Sequence, residues 1–316
     1  MRLTRRLLLA AAPSATLAQA AWPETPVRLV VPFAADGPTD RAARLLAAQL
    51  AENLATPFTV ENRTGILIGT DIVAKAPPDG SVLLFATIAH AIARAALPVL
   101  PYDPVRDFAP AALVGVVPMV LLVNRGLPVT DLAGFLAYLK SRAGMAAYGS
   151  AGTGSALHLA AALFCTRAGV EMDHVSYPGS APALRALQDG VVDMVFDTAA
   201  TGLAAARDGI GRALFVTGGT RLQAAPDVPT AREAGWDDFD AHTWNAVLAP
   251  AGTAMPVLAA IARAIDGALA VPVLRTALTE LGMSVERGST PEKARAFLQA
   301  EIARWEPVAR TVFDRS

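Results

Sequence analysis

Short β-branched runs that end in Gly- or Pro-bearing turns and lead into helix-spaced apolar segments recur along this chain. That alternation restricts it to folds in which helices cover a largely parallel sheet. "VRLVVPF" (Val27 to Phe33) precedes "TDRAARLLAAQLAENL", where Ala43, Leu46, Ala47, Leu50 and Leu54 recur at helical spacing and Thr39 or Asp40 suits the N-cap. Strand-like "FTVEN", helix-like "GTDIVAKA" and strand-like "SVLLFAT" continue the pattern. A second alternating block opens after "MVLLVN" (Met119 to Asn124) and runs through "AAYGS", "SALHLAAALFCTRAG", "DHVSY", "SAPALRALQDG", "VVDMVFD", "TGLAAARDG" and "RALFVTG". The strand "HTWNAVLAP" (His242 to Pro250) then leads into a mostly helical remainder, too poor in strands to form an α/β domain alone. The expectation is two doubly wound α/β lobes, the first from residues 21–122 plus 247–316 and the second, 123–246, inserted between two hinge strands.

With 53% hydrophobic residues among 316, the chain can bury two such cores. Its formal net charge of −1 and the absence of a basic surface cluster beyond the N-terminus argue against nucleic acid as a partner. Arg2, Arg5 and Arg6, the apolar stretch Leu7 to Ala12 and the small-residue pattern Ala18-Gln19-Ala20 read as an export signal cleaved after Ala20, by either the general or the twin-arginine route. No other apolar run reaches the ~18 to 20 uninterrupted residues needed to cross a bilayer, so a soluble exported protein is expected. The single cysteine, Cys165, lies among apolar neighbours and reads as core packing; no cofactor or metal motif is present.

The most informative loop is "YGSAGTGSALH" (Tyr148 to His158), which places three glycines and three aliphatic hydroxyls between a strand and a helix. Such a turn frees backbone N–H groups at a helix N-terminus for an anion. Ser155 stands where a P-loop needs Lys, and Leu157 where a dinucleotide fingerprint needs its third glycine. "YGSAG" also falls one glycine short of a nucleophile elbow, which keeps Ser150 open as a nucleophile.

In order and spacing, "WPETPVRLVVPFAADGPTD", "VENR", "AKAPPDG", "LPYDPVRDFAP", "YGSAGTGSALH", "YPGSAPALRALQDG", "MVFD", "APDVPTAREAG", "LAPAGT" and "STPE" resemble the substrate-binding receptors of tripartite tricarboxylate transporters, the Bordetella uptake (Bug) family. The resemblance covers the mature chain. It implies a type II-like, two-lobed periplasmic binding protein, not an enzyme, that closes as a monomer on a small carboxylate and delivers it to membrane permease subunits. It also carries ligand roles onto Phe33, Ala34, Gly37, Thr39 and Asp40 in the first lobe and onto Ser150, Gly152, Thr153, Ser155 and His158 in the second. Thr87 and His90 follow a first-lobe strand and Asp197 closes "MVFD"; all three are expected at the cleft. The ligand implied by the resemblance is a di- or tricarboxylate, an amino acid or an aromatic acid.

Several residues keep a second reading. Asp40 is either a helix cap or a ligand contact, and His158 either a cap partner or a ligand contact. His174 and His242 stand outside any motif, and Trp236, Trp244 and Trp305 suit packing better than ligand stacking. Two features depart from the family pattern: Asp36-Gly37 replaces Gly-Gly, and "NRTGILIG" (Asn62 to Gly69) is two residues short with Ile66 and Leu67 in place of small residues. The competing functions are an exported serine hydrolase, with Ser150 as nucleophile, His158 or His174 as base and Asp197 as acid, and a receptor that reports to a sensor protein.

Overall fold

The computed structural model describes residues 22–33, 35–63, 66–97, 99–237 and 239–313. The export signal with its cleavage site, and Ala34 of the first ligand loop, lie outside the described residues. In chain order the first part holds β1 (Val27–Val31), α1 (Pro38–Leu54), β2 (Phe58–Asn62), α2 (Ile66–Ala74), β3 (Val82–Ala86), α3 (Ile88–Ala91), α4 (Ala93–Ala96) and β4 (Phe108–Val123). There follow α5 (Leu132–Ser141), β5 (Ala147–Ser150), α6 (Ala156–Ala168), β6 (Asp173–Ser176), α7 (Ser180–Gln188), β7 (Met194–Thr198), α8 (Ala199–Arg207) and β8 (Arg212–Val216). The chain then runs through β9 (His242–Pro250), α9 (Met255–Ala270), α10 (Pro272–Glu280), β10 (Ser284–Val285) and α11 (Pro291–Phe313).

Strand order is β2-β1-β3-β9-β4-β7-β5-β6, with β8 and β10 also paired to β4. β1 lies parallel to β2 and β3, and β5 parallel to β6 and β7, as the alternation of strands and helices predicts. β9 and β4 run antiparallel to each other along Phe108 to Pro118, and from Met119 onward β4 pairs instead with β7 and β8. The two-lobed α/β architecture therefore hangs on one 16-residue strand shared by both halves.

Burial follows the strand period. Leu29 and Val31 face α1, α9 and α10 with Leu46, Leu50, Ile261 and Leu278, while Val30 and Leu84 join a larger core on the other side. That larger core includes Leu298, Ile302 and Trp305 of α11 and runs into the second half through Phe164, Phe196 and Phe215. A third cluster seals α7 and α8 on the sheet through Leu187, Val195 and Leu203. α1 starts from Gly37 with Pro38 in its first turn, where the missing N–H needs no partner, and ends at Ala55 in the left-handed region (φ 49°). α6 starts from Ser155, whose Oγ accepts from His158 N–H, and ends at Gly169 (φ 63°), which tolerates that conformation without a Cβ penalty.

Candidate functional site

The pairing registers place the loops expected to hold the ligand. Ala86, the last residue of β3, aligns with Ala246 of β9, which aligns with Leu113 of β4; Thr198, the last residue of β7, aligns with Met119. Both strands point along β4 toward each other, so their carboxyl ends face across six residues, roughly 20 Å at ~3.3 Å per residue. β1 and β2 lie parallel to β3, and β5 and β6 to β7, so the loops after β1, β3, β5 and β7 border that gap.

On the first side, Asp40 organises the loop. Its carboxylate is 1% exposed and accepts from Asp36 N–H (2.8 Å), Asn62 Nδ2 (2.8 Å) and Arg44 Nε (2.9 Å). Burial alone raises its pKa, but these donors outweigh it and hold the carboxyl below the usual carboxylate range. Asn62 Nδ2 also reaches Phe33 C=O at 3.2 Å, so half-buried Phe33 is tied to the same cluster. Neither Thr39 nor Asp40 is the N-cap expected, since Gly37 takes that position and both lie in the first turn of α1; Asp40 instead holds the loop in which Gly37 sits. Asp36 is exposed, has φ +67°, and its C=O accepts from Arg41 Nε at 3.1 Å. A left-handed residue here explains why the family pattern has glycine at this place.

Thr87 caps α3, its Oγ1 accepting from Ala89 N–H at 3.3 Å. His90 is engaged elsewhere: its Nε2 contacts Pro104 C=O at 2.8 Å and its ring packs edge-on to Phe108 and stacks near Tyr102. Burial lowers its pKa to about 4, so it is a neutral packing group.

On the second side, Ser150, Gly152, Ser155 and His158 come together in one loop, with Thr153 exposed at its tip. Gly152 (φ 124°) and Gly154 (φ 75°) allow the chain to fold back so that Gly154 N–H donates to His158 Nδ1 at 3.1 Å. His158 is 4% exposed and stacks on His174 with ring centroids 3.7 Å apart. Burial, reinforced by the neighbouring His174, lowers the His158 pKa to about 4. Ser150 is fully buried, and its Oγ lies 2.7 Å from His174 Nε2. Asp197, 2% exposed, accepts from Ser180 Oγ, Thr201 Oγ1 (2.7 Å) and Thr198 N–H (2.7 Å), which stitches the loops after β6 and β7 together. Its pKa is raised because burial outweighs those three donors.

His174, Asn62, Ser180 and Thr201 bond the expected site residues Ser150, Asp40 and Asp197 but escape a motif reading. The pairing of β5 with β6 could have revealed His174, since Tyr148 aligns with it; Asn62 ends β2 beside Val31 of β1.

A profile of the tripartite tricarboxylate transporter family receptor matches residues 42–312. Protein BugT of Bordetella pertussis is 35% identical over 293 residues, covering 92% of this chain and 90% of its own. Two solved structures are similar over nearly their full length. Rhodopseudomonas palustris MatC with bound malate is 37% identical (TM-score 0.75, 91% of this chain and 100% of that one). An R. palustris protein, Rpa4515, with adipate is 36% identical (TM-score 0.77, 92% and 98%).

Proposed function

Because the chain belongs to the family of tripartite tricarboxylate transporter receptors, we propose that it binds a small carboxylate, dicarboxylates first, between its lobes and delivers it to the membrane subunits of such a transporter. The observation that carries this reading is the facing pair of loops, Phe33 to Asp40 and Ser150 to His158, each opening a helix and neither containing Lys or Arg. First-turn N–H groups and hydroxyls then do the work of cations. A helix end contributes about 0.3–1 kcal/mol toward an exposed carboxylate and up to ~2 when partly buried, against the roughly 8 kcal/mol of a micromolar complex. The remainder falls to direct hydrogen bonds and to lobe closure, in which residues 21–122 plus 247–316 move against 123–246 about β4 and β9. The malate and adipate held by the two similar proteins support a dicarboxylate. Export to the periplasm, with the mature chain starting at Ala21, completes the reading.

One contact favours the hydrolase alternative, namely Ser150 Oγ beside His174 Nε2. Asp197 is not its third member, since its carboxylate serves Ser180, Thr198 and Thr201, and no described acid bonds the His174 ring. A thermal-shift panel of malate, adipate, glutamate, citrate and benzoate separates the two. A ligand at about 100 Kd stabilises by ~2.7 kcal/mol, a rise of roughly 5 °C in Tm. A flat panel together with fluorophosphonate labelling of Ser150 refutes the receptor reading.

A further inference from the structure

Ser150 Oγ has one proton and two lone pairs to distribute among Gly152 N–H (3.3 Å), Gly152 C=O (3.2 Å), His174 Nε2 (2.7 Å) and any bound ligand. If the hydroxyl donates to His174, a ligand carboxylate meets only lone pairs and is repelled. If Nε2–H donates to Oγ instead, the lone pairs are taken by His174 and Gly152 N–H. The hydroxyl proton then has two acceptors to choose from, Gly152 C=O and the ligand. At 3.2 Å the Gly152 carbonyl is beyond the usual 2.5–3.0 Å range of an O–H···O bond, so a well-placed carboxylate wins the proton.

We propose that His174 is a positioning residue of the ligand site: its Nε2–H donates to Ser150 Oγ and turns the hydroxyl proton toward a bound carboxylate, and ligand capture draws a proton from solvent onto the other ring nitrogen. This inference rests on the carboxylate reading of the site given above. His174 Nδ1 makes no hydrogen bond to a described residue, and the ring lines a cavity of about 750 Å³ between the second lobe and the end of α11, a path by which a proton can arrive. An imidazolium keeps Nε2–H as donor without competition from the other tautomer, and its charge lies one hydroxyl away from the ligand's.

The surroundings set where this happens. His158 is stacked face to face on His174, so a second charge there is opposed, and its Nδ1 is already an acceptor for Gly154 N–H. Glu171 and Asp173 are the acidic residues that line the same cavity. Cys165 of α6, whose thiol burial pushes up to about 12, stays uncharged, and among the described residues Thr311 and Val312 of α11 complete the lining. Burial lowers the pKa of His174 from its ordinary value, so the empty protein holds it neutral at pH 7. A carboxylate on Ser150 moves it back up, so binding takes up a fraction of a proton on the acid side of neutrality.

Calorimetry with malate in two buffers of different ionisation enthalpy counts these protons. At about pH 5.5 the wild type takes up more protons than His174→Gln, and near pH 7.5 the two agree. The Gln amide retains an N–H donor toward Ser150, so its malate affinity near pH 7.5 stays within about threefold of wild type, whereas His174→Phe loses tenfold or more. Protons belonging to malate itself cancel in the comparison; equal uptake by wild type and His174→Gln overturns the proposal. Imidazole ¹⁵N NMR of the ligand-free protein supplies a readout independent of any ligand. His174 carries its proton on Nε2, and an Nδ1–H tautomer overturns the proposal even if malate binds. If no carboxylate binds, the ligand reading fails on its own, and the tautomer still decides the hydrogen-bond role of His174.

Discussion

Replacing Asp40 by Asn tests whether this residue builds the first ligand loop or touches the ligand. The carboxylate meets three donors on its own lobe, and an amide oxygen in its place must serve them while its NH₂ faces at least one. Arg44 is 51% exposed and swings into water at little cost, so the loss concentrates on Asp36 N–H and Asn62. Losing a charge-assisted hydrogen bond costs about 1.5–3 kcal/mol, and leaving a buried donor unmet adds about 1–3, partly relieved where the rim is wet. A net ~2–4 kcal/mol follows, a fall in Tm of roughly 5–10 °C by calorimetry at pH 7. The pH dependence has a definite sign. Asp40 has a depressed folded pKa, so its contribution is present above the unfolded value near 3.9 and disappears as pH falls through the lower folded one. Wild type and variant should therefore converge as pH falls through the depressed folded value. Malate affinity falls along with Tm, because Asp36 loses its anchor and Asn62, which holds Phe33 C=O, loses its own. A variant that melts within about 1 °C of wild type but no longer binds malate would refute this reasoning and make Asp40 a direct ligand group.

Asp36→Gly removes a left-handed Cβ from an exposed turn; calorimetry should show stability unchanged or raised by up to ~1 kcal/mol and dicarboxylate affinity within about threefold, a tenfold gain meaning instead that the carboxylate faces the ligand. Glu301→Gln disturbs a carboxylate, 1% exposed, that accepts from Trp244 Nε1 (2.8 Å), Trp305 Nε1 (3.0 Å) and Arg304 Nη1 (3.0 Å). It should cost about 1.5–3 kcal/mol in urea unfolding, and an unchanged midpoint speaks against the network. Ser150→Ala should weaken malate binding by roughly 1 kcal/mol, while the wild type turns over no ester. N-terminal sequencing of periplasmic protein should begin at Ala21; intact Met1 on a cytoplasmic form excludes export.

The alternation of strands and helices was legible because each element buries one face at its own period: "FTVEN" and "HTWNAVLAP" form strands at the residues expected. The first half of β4 was not legible, since Pro110, Gly115 and Pro118 interrupt the apolar run. The strand accommodates two of these breaks with register shifts between Pro110 and Ala112 and between Leu113 and Gly115. Among the expected site residues, the loop from Ser150 to His158 could be read locally because glycines and hydroxyls announce a turn. The partners of its side chains could not: His174 reaches Ser150 only through the parallel pairing of β6 with β5, a contact between strands joined by a whole helix. His90 shows the opposite error, a polar residue after a strand whose ring turns into the Tyr102 and Phe108 cluster. Nothing in its neighbours along the chain distinguishes the two directions.

The end of α11 offers a handle for watching the protein at work. A β-carbon built on Gly154 would lie only 2.6 Å from Phe313 Cζ, so the last described turn of this helix rests on the ligand loop itself. Cys165 is the only thiol in the chain, and burial, which pushes its pKa up to about 12, slows its reaction with maleimides at neutral pH. Phe313→Cys therefore accepts a single environment-sensitive dye with Cys165 left in place. A dye at that position reports movement of the Gly154 loop as a change in fluorescence, turning the chain into an optical gauge for whichever solute it carries.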